Sequence, residues 1–177
     1  VAPDHYATEQ ALAASSLDWT LLRNNTYTDM FLMSLPRAVA TGQLVAAAGS
    51  GGAGYVTRED CARTAAAALA RPTTGRTTLD ITGPAVVTHA ELAQILSAIS
   101  ERSITYVPVP PEAMVAGMVA AGLPEAVAKV YVTFDVAIAQ GALAVASSAV
   151  ADLTGTPPQS VGEFLAANRE ALLAPQA

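Results

Sequence analysis

His5 and Glu9 lie four residues apart at the head of an alanine-rich stretch, Tyr6 to Leu17, whose spacing predicts a helix. Both side chains therefore rise from one helical face. An imidazole one turn from a carboxylate can handle a proton or grip ribose hydroxyls. The same spacing also describes an ordinary solvated face. A second polar group, Arg23, Asn24, Asn25 and Tyr27, follows the apolar run Trp19 to Leu22, which reads as a strand. Ligands of open α/β sheets bind beyond the carboxyl ends of strands, which is where this cluster falls. Asparagines also gather in turns because they tolerate left-handed backbone, so a plain turn remains open.

Other reactive residue types have simpler readings. Arg58, Glu59 and Asp60 open a helix, where acids favour the dipole. Cys61 among alanines reads as core, and His89 at a helix start as a surface residue. Met114 and Met118, one turn apart, suit either an adaptable apolar pocket or core filling.

The elements that must position these groups alternate. Strands are expected at Trp19–Leu22, Leu44–Ala48, Thr77–Ile81 and Ile104–Val109. Helices are expected at Thr28–Val39, Arg58–Ala70 capped by Thr57 and stopped at Arg71-Pro72, and His89–Ser100 with a Thr88/Glu91 capping box. Beyond Pro110 the chain reads as helical: Glu112–Ala121, a helix with Pro124 in its first turn running to about Gln140, and a last one boxed by Ser160 and Glu163. Strands separated by capped helices mean an α/β fold with a mainly parallel sheet, and three or four strands leave that sheet incomplete.

The 177 residues fit one domain with a substantial core. Only 14% are charged, against about 25% on average, and the 52% apolar fraction is largely alanine. No long uninterrupted apolar run predicts a membrane span, and no signal peptide is visible at the start, although valine as residue 1 suggests trimming. A net charge of −6 argues against a nucleic-acid surface. One cysteine excludes an internal disulfide and fits a reducing, cytoplasmic compartment; two histidines are too few for a metal cluster, so no metal is expected.

Gly49, Gly51 and Gly54 satisfy G-x-G-x-x-G after a strand. The dinucleotide fingerprint needs its third glycine inside the helix that opens on the pyrophosphate. Here Tyr55-Val56-Thr57 intervene, so the segment reads instead as a flexible turn or a glycine-rich lid over a ligand.

The runs HYATEQALAASSLDWTLLRNNTYTDMFL, GSGGAGYVTREDCARTAAAAL, LDITGPAVVTHAELAQILSAIS, AGLPEAVAKVYVTFDVAIAQGAL and LTGTPPQSVGEFL together resemble the NmrA-like group of atypical short-chain dehydrogenases, in its quinone oxidoreductase 2 and triphenylmethane reductase branch. The resemblance runs essentially the whole length. It implies the C-terminal portion of a Rossmann-like NAD(P)-binding fold, residues 1–88, followed by a smaller, mainly helical substrate-binding region, residues 89–177, with the Gly-rich nucleotide-binding half absent from the N-terminal side.

The resemblance also implies an NAD(P)H-dependent reductase that passes hydride to a quinone-like or other electron-poor aromatic acceptor. In ordinary short-chain reductases the first helix carries a Tyr-x-x-x-Lys pair, and here the corresponding positions are His5 and Glu9. These would orient ribose and substrate as the catalytic pair, with Arg23, Asn24 and Asn25 on the cofactor and Tyr27, Tyr55 and Met114 shaping an aromatic-accepting pocket. NADPH or NADH would be the cofactor and a small quinone or aromatic the partner, with no nucleic acid or membrane and a possible homodimer through an exposed sheet edge. Two other functions fit the resemblance: a non-catalytic dinucleotide-sensing regulator, or an inactive fragment.

Overall fold

The computed structural model describes residues 3–71 and 74–174; the proposed Pro72 helix stop and Val1 lie outside them. The chain opens with α1, Pro3–Ala14, three residues earlier than its alanine spacing suggests. It ends at Ala14 because the Ser15 amide and hydroxyl turn back onto Leu12 O and the Arg76 guanidinium takes the carbonyls of Ala13 and Ser15. No residue of α1 is buried.

β1, Trp19–Asn24, leads through a 3-10 turn, Thr28–Met30, into α2, Phe31–Thr41, which carries Pro36 inside it. β2 is Gln43–Ala46, shorter than expected, and β3 is the two-residue Gly52–Ala53. α3, Arg58–Leu69, starts under the expected cap, with Thr57 Oγ1 accepting from Asp60 N at 3.0 Å. β4 is Arg76–Ile81 and β5 is Val87–Thr88; α4, His89–Ser100, opens with both halves of its capping box formed. β6, Thr105–Pro108, precedes the hairpin of α5, Pro111–Ala120, and α6, Glu125–Ala139. α7, Ala149–Thr154, α8, Val161–Ala167, and α9, Arg169–Leu173, close the described chain.

The fold is α/β with parallel strands, but the expected single sheet is divided. β1 and β4 pair in parallel from Trp19–Arg76 to Asn24–Ile81, and β2 and β6 from Gln43–Thr105 to Ala46–Pro108. β3 and β5 form a short antiparallel ladder. β3, β5 and α7 carry too few residues for their periodicity to announce them.

Two cores result. The larger gathers Leu35 and Val39 of α2, Leu44 of β2, Tyr55, Leu92 and Leu96 of α4, Ile138 of α6, and Leu165 and Leu172 from the last helices, so it draws on residues either side of position 88. The smaller holds Val56, Cys61, Ile81, Ala149 and Val150. β1 contributes no fully buried residue, although a parallel strand is usually covered on both faces. Among the described residues no helix is long and apolar enough to cross a membrane.

Candidate functional site

The parallel register of β1 on β4 brings Asn24 level with Ile81 and sends the chain over the carboxyl end of the pair. There the backbone is stitched down closely. Asn25 N–H donates to Ile81 O at 2.9 Å, Thr28 N–H to Val56 O at 2.9 Å, and Val56 N–H to Thr26 O at 3.1 Å. The Asn25 side chain completes the floor: its Nδ2 donates to Leu143 O at 3.1 Å and its Oδ1 accepts from Thr26 N at 2.7 Å. Asn25 is thus both the turn residue and the cluster member that its sequence position suggested, with its amide spent on the protein.

Its neighbours face outward. Asn24 Nδ2 donates to the Tyr27 hydroxyl at 3.3 Å, and both side chains remain accessible. Arg23 reaches across to α1, where Nε and Nη2 donate to the two Glu9 oxygens at 2.9 and 2.6 Å in a bidentate pair. The Glu9 carboxyl is held below its ordinary value, chiefly by the Arg23 hydrogen bond, and the Arg23 guanidinium is raised by the same bond. Asp80, in register with Arg23 on β4, adds a weaker attraction to the guanidinium. His5 sits one turn before Glu9 on exposed α1 and contributes a further small pull on the carboxylate. Helix α1 and strand β1 are therefore joined at this point by the residues whose types first suggested chemistry.

The remaining expected site residues lie elsewhere. Tyr55 is 2% exposed, its ring 4.7 Å from that of Phe31, and burial pushes its phenol well up. It forms part of the core behind the floor, and no face of it lines an open surface. Met114 is half-buried on α5, which packs on α6. Sequence reasoning missed Arg58, whose guanidinium lies 5.1 Å over the Tyr27 ring and 3.4 Å from Met30 Sδ, while its backbone N–H donates to Asp29 at 2.9 Å. The signal was present, since Arg58 is the first helical residue after the Thr57 cap, but helix-start solvation explained it equally well. His89 is corrected from surface to interior: it is 7% exposed, with its ring 5.5 Å from that of Tyr106.

The glycine segment is corrected too. A Cβ on Gly51 would stand 2.0 Å from Ile138 O, and one on Gly54 2.0 Å from Val145 O. These glycines exist because other backbone runs directly over them. Gly51 N–H donates to Ala48 O and Gly54 N–H to Leu143 O, so the donors a phosphate would need are occupied. The segment is a packed joint that includes β3, and it serves neither as a pyrophosphate cradle nor as a loose lid. Residues present at β1 suit the polar nicotinamide and ribose end of a dinucleotide; among the described residues, this segment does not suit its phosphates.

The α/β fold with parallel strands matches the Rossmann-like fold of solved NAD(P)-binding reductases. No protein-family model matches the chain. It is 31% identical over 163 residues to quinone oxidoreductase 2 of Escherichia coli (strain K12), which covers 92% of this chain and 57% of that protein. The crystal structure of that NADPH-dependent enzyme complexed with NADPH superposes with a TM-score of 0.87 at 30% identity, over 93% of this chain and 58% of the other. The Citrobacter sp. triphenylmethane reductase complexed with NADP(H) superposes at 0.84 with 33% identity, over 91% and 56%. The homologues of this chain are thus NmrA-like reductases of the short-chain dehydrogenase type. The chain spans 57% of the length of the curated quinone oxidoreductase.

Proposed function

We propose that this chain is the acceptor-side part of a cytoplasmic NAD(P)H-dependent oxidoreductase that reduces a quinone-like or other electron-poor aromatic compound. The observation that supports it best is the bidentate Glu9–Arg23 pair, which fixes α1 against the carboxyl end of β1 beside Asn24 and Tyr27. It occurs in a chain that superposes on an NADPH complex over 93% of its length. When bound, the reduced nicotinamide supplies a hydride.

The chain's own residues bind and orient. Arg23, with guanidinium hydrogens beyond the two it gives Glu9, and the Asn24 amide present donors to ribose hydroxyls or a carboxamide. The Tyr27 hydroxyl can accept or donate there, and Arg58 over its ring fixes the ring plane. Asn25 positions this edge through Leu143 and makes no free contact of its own. His5 and Glu9 hold the ribose or acceptor side from α1. Met114 contributes apolar lining from the α5–α6 hairpin, and Tyr55 supports the site from the core.

The test is NADPH oxidation by the product of the complete reading frame with a simple naphthoquinone and with a triphenylmethane dye as acceptors. Acceptor-dependent turnover is expected. Tight NADPH binding with no turnover on either acceptor would replace this reading with a dinucleotide-sensing regulator.

A further inference from the structure

His89 is among the buried ionisable groups that the proposed site leaves unused. It is the first residue of α4, directly after the Thr88 cap, and its Nδ1 is buried without a hydrogen-bond partner. Its ring lies against Tyr106 of β6, with 5.5 Å between ring centres. An orphaned ring nitrogen is uncommon in a native interior and calls for a cause. Asp135 of α6 acts on both rings and on Tyr55, while its Oδ2 accepts the Ala47 N–H at 2.7 Å at the carboxyl end of β2.

Little else charged bears on the imidazole. Glu91 on α4 itself is turned back onto Thr88. On the elements packed against α4, Glu163 of α8 is held by Ser160, Arg169 of α9 is held at Glu101 beyond the far end of α4, and Arg37 of α2 is exposed. Tyr106 and Tyr55 are phenols that burial keeps protonated. Only neutral imidazole suits this seat. An imidazolium there would be desolvated, would face the positive end of the α4 dipole, and would have Asp135 alone in its favour.

We propose that His89 is a proton-operated latch: as the neutral base it lets α4 close on β6, and on protonation it leaves its seat and loosens α4 from β6. The consequence passes through named contacts. α4 rests on β6 and carries Leu92 and Leu96 into the larger core, so loosening α4 from β6 uncovers those apolar residues. The latch stands on this packing and does not depend on the proposed reduction.

The sign follows from burial. Desolvation lowers the His89 value below its ordinary 6.5, with Asp135 opposing in part. The latch is therefore fully closed above pH 6.5 and is lost as the pH falls through the lower folded value. Only one other histidine, His5, is present, so a His5→Gln background leaves a single imidazole to follow by NMR. In that background, binding of an apolar fluorescent dye should rise several-fold on acidification, with a midpoint that tracks the His89 ring signal. Asp135→Asn retains an acceptor for Ala47 N–H and should move that midpoint to lower pH. His89→Phe should flatten the dye transition. The latch is refuted if His89 titrates with no rise in dye binding, or if the midpoint stays put in Asp135→Asn. Should His89→Phe fail to fold, the Asp135→Asn midpoint decides alone.

Discussion

Asp60–Arg63 and Glu9–Arg23 are the same chemical pair in two settings. Asp60 is 3% exposed, and every oxygen of its carboxylate is used: Oδ1 accepts from Arg63 at 2.8 Å and Oδ2 from Gln159 N–H at 2.9 Å. Arg63, itself half-buried, goes on to Thr154 Oγ1 and Pro157 O, so the pair fastens the end of α7 and the approach to α8 onto α3. In Glu9–Arg23 the guanidinium takes both carboxylate oxygens rather than one, Arg23 is exposed and Glu9 half-buried, and the helix that carries Glu9 has no buried residue. Removing charge from water is costly unless every donor and acceptor is met, which is why the first pair is knitted so completely. The second pair meets no such demand, and its spare donors remain free to meet a ligand. The difference separates a joint from the proposed site, although the two are alike in sequence.

Perturbing each pair should expose that difference. Asp60→Ala leaves Arg63 and Gln159 N–H uncompensated and should cost about 3–5 kcal/mol, seen as a fall of roughly 10 °C in Tm by circular dichroism. Asp60→Asn keeps an acceptor for Gln159 N–H and loses the charge, so about 2 kcal/mol is expected. If the two variants unfold at the same temperature, the carboxylate's charge is not what holds the segment. Arg23→Gln should leave Tm nearly unchanged, because exposed pairs contribute little. In the complete enzyme it should raise KM for NADPH roughly tenfold, the loss of one charge-assisted contact. A large Tm loss with unchanged KM would turn Arg23 into a joint as well.

How far the sequence reveals this contrast depends on the range of the interactions involved. Local chemistry was legible: the Thr57 cap, the Thr88/Glu91 and Ser160/Glu163 boxes, and the strand ending at Ile81 follow from near neighbours, whereas β1, expected to stop at Leu22, runs on to Asn24. The Asn24–Tyr27 cluster was legible as a strand exit, and its place at a carboxyl edge follows from the parallel pairing. Contacts between distant residues were not. Asp60 looked like no more than a helix-start acid because Gln159 lies 99 residues away. His89 looked exposed because nothing nearby announces Tyr106 or Asp135. Gly51 imitated a phosphate loop because its need for hydrogen in place of a side chain comes from Ile138, far along the chain. Tyr55 took a pocket role by resemblance, whereas its packing on Phe31 is a tertiary fact.

The finest test of the contrast is the titration of Glu9. The Arg23 hydrogen bond is the largest cause of its lowered value, and burial opposes it. What the pair adds to stability is therefore present above Glu9's ordinary 4.5 and lost as pH falls through the lower folded value. Carboxyl NMR should find the Glu9 midpoint below 4.5 in the native chain, and Arg23→Gln should bring it back up, since the desolvation that remains pushes upward. High salt should narrow the gap between the two, because an exposed pair is screened. The Tm difference of Asp60→Ala should respond less to the same salt, because the Asp60 carboxylate is buried. A Glu9 midpoint that ignores the loss of Arg23 would mean that the pair does not form in solution. Helix α1 would then rest on the Arg76 cap at Ala13 and Ser15, and the polar edge of β1 would lose the contact that gives it a second wall.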